Sequence, residues 1–121
     1  MEKTIRVLKI EPGKETYVKE IENDYKASQK EVEGLIDCVG FGDGCVAVLN
    51  DEGKLNGMEP NRRYKEDIFC GPFFICGDGR DGDFISLTEE QIEKYTKQFG
   101  EIEQFTGQEP ELEPGITFMA W

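Results

Sequence analysis

The residues best able to do chemistry in this chain lie between positions 51 and 67, "DEGKLNGMEPNRRYKED". Arg62 and Arg63 could fork a phosphate or carboxylate with their guanidiniums, Asn61 could hydrogen-bond it, and Tyr64 could stack a base. The same residues have a second reading. The cations could neutralise Glu59, Glu66 and Asp67 on a surface loop, or Arg62 could bond strand-end carbonyls or a buried acid as a clamp. The charge pattern leaves both open.

A second cluster, "GDGRDGDF" at 77–84, sets Asp78, Asp81 and Asp83 in a loop. Clustered carboxylates can hold calcium, but an EF-hand needs oxygen ligands at loop positions 3 and 5 and Gly at 6. Counted from Asp78, those positions are Arg80, Gly82 and Asp83, so the pattern fails. The simpler reading is a loop leading into the next helix. Cys38, Cys45, Cys70 and Cys76 have no C-x-x-C spacing, and the chain contains no His to complete a mixed zinc site. Each sits among strand-like apolar residues, which favours buried free thiols. Without His, the Ser–His and Cys–His relays are also unavailable. "EPGKE" lacks the upstream Gly and the Ser or Thr of a phosphate-binding loop. No catalytic residue, metal or cofactor is assigned, and the expectation is a protein that is not an enzyme.

The elements that must position these residues follow from patterning. "TIRVLKI" reads as a strand ended at Pro12-Gly13, with "YVKEIE" returning beside it. "DYKASQKEVEG" reads as a short helix stopped at Gly34. "LIDCVGF" and "CVAVLN" are two strands joined by "GDG" at 42–44, and Asn56-Gly57 suits a type I′ turn. "DIFCGPFFICG" is the most apolar segment, expected as a strand with a bulge or break at Gly71-Pro72. "SLTEEQIEKYTKQFG" is the strongest helix: Thr88 is its N-cap, Gln91 completes a capping box, and Ile92, Tyr95 and Phe99 form one face. The expected fold is therefore α+β: one domain at 1–100 with a mainly antiparallel sheet of about five strands and two helices. Residues 101–121 read as an acidic, extended tail with an apolar end, "ITFMAW".

"VLKIEPGK", "NDEGKLNGMEPNR", "GPFFICG" and "FISLTEEQIEKY" together resemble a small family known as domain of unknown function 3846. The similarity covers roughly residues 4 to 99. The resemblance implies an α+β fold and short proteins of phages, plasmids and other mobile elements. It carries no established catalytic residues.

Composition narrows the function. The 121 residues carry a formal net charge of −12, with 37% apolar and 33% charged residues. Such a field repels nucleic-acid phosphates and attracts basic partners. No apolar run approaches the roughly 18 residues of a membrane span, and "MEKTIRVLKIEPG" has no signal-peptide core. A cytoplasmic protein is expected, in the host cytoplasm if phage-encoded. The leading expectation is a mobile-element accessory protein that binds and inhibits a basic host protein through its acidic surface, such as a defence nuclease or CRISPR effector. The alternative is a module that binds or sequesters a nucleotide through Arg62, Arg63 and Tyr64. An enzyme would have to draw carboxylate chemistry from the 78–83 loop.

Overall fold

In the computed structural model residues 3–79 and 83–112 are described. β1 (Thr4–Ile10) and β2 (Tyr17–Glu22) form the expected hairpin, with Leu8 opposite Val18. The helix α1 (Tyr25–Val32) follows, capped by the Asp24 side chain, which accepts from the Ala27 amide. Its stop differs from expectation: Glu33, not Gly34, takes the left-handed conformation, with φ 63°. Gly34 is needed for a different reason, because a Cβ there would sit 2.7 Å from the Asn50 side-chain nitrogen.

β3 (Ile36–Gly40) and β4 (Cys45–Asn50) pair across the Gly42–Gly44 turn. β5 (Pro60–Tyr64) and β6 (Asp67–Cys70) make a separate two-stranded ribbon. β7 (Phe73–Asp78) then enters the main sheet, β8 (Phe84–Ile85) pairs its end, and α2 (Glu89–Phe99) follows. The main sheet is antiparallel in the order β2-β1-β7-β4-β3, with β8 beside β7. The α+β class, the two helices and the mainly antiparallel sheet are as expected; among the described residues that sheet has six strands, close to the five or so read, and the two-stranded ribbon brings the total to eight. The excess comes from two sources. Gly71, at φ 83°, breaks "DIFCGPFFICG" into strands of two different sheets, and the polar "PNRRY" forms a strand.

The three central strands explain the unbroken apolar runs of the sequence. Alternate residues point to opposite faces, and here both faces are covered. Phe74, Cys76, Val46, Val48 and Val7 pack with Val32 of α1. Phe73, Ile75, Cys45, Ala47, Leu8 and Ile10 pack with Tyr95 and Phe99 of α2 and Phe69 of the ribbon. Each large side chain so buried contributes about 1.5–3 kcal/mol. α2 carries the full capping box: Thr88 Oγ1 accepts from the Gln91 amide, and Gln91 Oε1 accepts from the Thr88 amide. The turn before β4 grips the same helix, because Asp43 Oδ2 accepts from the Tyr95 hydroxyl at 2.6 Å and from Lys94 at 2.5 Å.

Asn56-Gly57 does not turn a hairpin. Gly57 is left-handed at φ 67°, but Asn56 is not, and the pair lies in a turn spanning 51–57 between β4 and β5. The β5–β6 hairpin turns instead at Lys65, held at φ 55°. Of the four cysteines, Cys45, Cys70 and Cys76 are buried free thiols, whereas Cys38 on the edge strand is exposed. No helix among the described residues is long and apolar enough to cross a membrane.

Candidate functional site

The 61–64 segment is not a loop. β5 contains a bulge between Pro60, opposite Cys70, and Arg62, opposite Phe69. The extra residue lets consecutive side chains, Asn61 and Arg62, both turn inward, which unbroken alternation would forbid. Asn61 Nδ2 donates to the carbonyls of Ile10 at 3.0 Å and Gly71 at 2.9 Å. The guanidinium of Arg62 has no exposed surface. Its Nε donates to the Phe99 carbonyl at 2.8 Å, Nη2 to the Lys14 carbonyl at 2.7 Å, and Nη1 to both oxygens of Asn61. Phe99 ends α2, so the cation also sits at the negative end of the helix. Burial pushes the Arg62 pKa down, opposed by the charge of Glu103. The geometry is that of a clamp joining the β1–β2 turn, β5 and the end of α2.

Arg63 points the other way and is engaged from the C-terminal segment. Its amide donates to Glu103 at 2.7 Å and its Nη1 to Glu111 at 2.8 Å, and its guanidinium lies 5.7 Å from the centre of the Phe105 ring. The acids that meet it are therefore not Glu59, Glu66 or Asp67. Tyr64 is half-buried, with its ring 5.1 Å from Phe41 and 5.5 Å from Phe69. Lys65 stands 5.3 Å over the same ring. Asn61, Arg62, Arg63 and Tyr64 thus share a strand but not a cavity.

Asp78 and Asp83 are exposed at the two sides of the β7–β8 connection, where the Gly79 amide donates to the Asp83 carbonyl at 2.7 Å. Asp81 and the "ITFMAW" end lie outside the described residues. Among the described residues, no three His, Cys, Asp or Glu side chains gather in a way that could hold a metal ion.

A different place combines room with charge. A groove of about 330 Å³ opens between the 51–57 turn and β6. Asp37, Asp51, Glu52 and Asp67 line it together with the apolar Leu49, Leu55 and Phe69. The turn sits against β6 because position 53 is Gly: a Cβ there would lie 2.7 Å from the Cys70 carbonyl oxygen. Lys54 pairs with Asp67 across the ribbon edge, and Asn50 Oδ1 accepts from the Glu52 amide at 2.8 Å, which sets the start of the turn. The groove draws Asp51–Leu55 and Asp67 from the stretch 51–67, where the pattern points to Asn61–Tyr64 instead. Its one signal is the doubled acid and Gly of "NDEGKL" directly after an apolar strand.

A family model described as "Domain of unknown function (DUF3846)" matches residues 5–100. No curated protein matches the chain, and no solved structure does. The groove and the Arg62 clamp lie within the matched span, whereas Glu103 and Glu111, which hold Arg63, lie beyond it.

Proposed function

The chain belongs to the DUF3846 family, a domain of unknown function, and from its own surface we propose that it is a non-enzymatic binding protein. Its acidic face occupies a basic site on another protein, of the kind that otherwise holds nucleic acid. The observation that carries this reading is the net charge of −12 in 121 residues with no histidine. A surface of that sign steers basic partners and repels phosphates. In its specific form, the partner is a host defence nuclease or CRISPR effector, and the chain, carried by a mobile element, inhibits it by covering its nucleic-acid site.

The nucleotide-binding alternative draws no support from the geometry. It would need Arg62 to leave the carbonyls of Phe99 and Lys14, and Tyr64 to leave the rings of Phe41 and Phe69. Affinity capture from lysate with the full chain, at low and moderate salt, tests the proposal. The expected result is one basic nucleic-acid-processing protein, released by added salt and by competing duplex DNA. Tight capture insensitive to both would overturn the mimicry of nucleic acid.

A further inference from the structure

We propose that the groove between the 51–57 turn and β6 holds an arginine of the partner, presented by an extended segment with aliphatic neighbours. This rests on the binding reading above and specifies its central contact. At about 330 Å³ the groove is at the lower end of the roughly 300–1,000 Å³ typical of ligand clefts. It has room for one long side chain and its immediate neighbours, not for a helix.

Its lining residues are of two kinds. Leu55 is 58% exposed, a large apolar side chain left facing water, and the half-buried Leu49 and the buried Phe69 also line the groove. The others are mostly acidic: Asp37, Asp51, Glu52 and Asp67. Lys54 is the one cation among its described lining residues and is already paired with Asp67. The carboxylates of Asp51 and Glu52 form no ion pair among the described residues.

An occupant must therefore satisfy two requirements at once. A purely aliphatic ligand would strip water from the carboxylates without replacing it, and an anion would be repelled. A long side chain with an apolar stem and a cationic head meets both. Arginine fits better than lysine, because its guanidinium is more weakly hydrated and forks onto carboxylates. The site is also pre-shaped, since Gly53 seats the turn directly on the Cys70 carbonyl, so binding orders little that is loose.

The test titrates the 15N-labelled full chain, at low salt, with the peptide acetyl-Leu-Arg-Leu-Arg-Leu-amide and with its citrulline counterpart, which keeps the shape and loses the charge. Saturable shifts at the amides of Lys54, Leu55, Ile68 and Phe69 are expected, with the citrulline peptide weaker by about tenfold or more. The double substitution Asp51→Asn, Glu52→Gln should weaken the arginine peptide by about the same factor, with the rest of the spectrum unchanged. Equal binding of both peptides overturns the proposal. So do shifts centred on Glu20, Glu22, Glu89 and Glu90 instead of the groove, an outcome that leaves the acidic-surface reading standing. No shift at any amide overturns that reading as well.

Discussion

Arg62 shows how a residue type can point to one chemistry and perform another. Beside Arg63 it suggests an anion site, yet it is fully buried and spends its donors on the carbonyls of Phe99, Lys14 and Asn61. Arg62→Met should cost roughly 3–5 kcal/mol, because the buried Phe99 carbonyl and the buried oxygens of Asn61 lose their donor away from water. Arg62→Lys should recover little of that, since one ammonium cannot reproduce a planar fork. Urea unfolding measures both, and a loss below about 1 kcal/mol for the Met variant would mean that the clamp is not holding the fold. Glu31 is a second interior charge. It accepts from Lys9 at 2.6 Å and from Lys19 at 2.9 Å where α1 meets the β1–β2 hairpin. Burial pushes its pKa up, but the bonds and charges of the two lysines together outweigh burial and hold the carboxyl below the usual glutamate value. A carboxyl whose folded pKa is depressed stabilises fully above its unfolded value, about 4.3, and loses that contribution as pH falls through the folded value. The stability gap between the wild type and Glu31→Gln should therefore be constant near neutral pH and narrow as pH falls below the unfolded value and through the folded one. A gap that persists at pH 2.5 would show that packing, not charge, is what Glu31 supplies.

Elements were legible where local rules decide them. Thr88, Glu89, Glu90 and Gln91 define the start of α2 within four residues, and the structure has the same capping box. The central strands could be read from their length and apolar content. The ribbon could not, because "PNRRY" contains the residues that usually mark a surface, and only the bulge at Asn61 with its distant carbonyl partners makes it a buried strand. Its turn was equally hidden, since the left-handed position falls on Lys65 and not on a glycine. The groove was illegible for the same reason: its walls come from β3, β4, the 51–57 turn and β6, which are brought together only by the tertiary fold. Glycines show this dependence on context sharply. Gly53→Ala should destabilise by roughly 1–3 kcal/mol, because its Cβ would meet a backbone carbonyl that cannot rotate away. It should also weaken any ligand of the groove by lifting the turn. Gly40→Ala has nothing within 4 Å and should stay within about 0.5 kcal/mol of wild type. Thermal unfolding of the two variants side by side checks this, and similar losses would mean that the turn and β6 are not in contact as described.

At the scale of the whole molecule, the net charge of −12 acts on folding and on binding with opposite signs. Folding crowds like charges together, so self-repulsion opposes the compact state. Salt relieves it, because the screening length falls from about 30 Å at 0.01 M to about 10 Å at 0.1 M. The attractions that salt could damage are of two sorts. Lys97 with Glu93 is exposed on both sides and contributes little. Lys9 with Glu31 is largely shielded from water and is screened much less. Raising NaCl from about 0.01 to 0.3 M should therefore raise the urea midpoint. Over the same range, attraction of a basic partner is screened, and its affinity should fall. This opposition gives the salt experiment its force. Binding lost while stability rises can only come from the interface. If the urea midpoint falls together with affinity, net repulsion is not the dominant charge effect in this fold, and loss of capture at high salt would report unfolding.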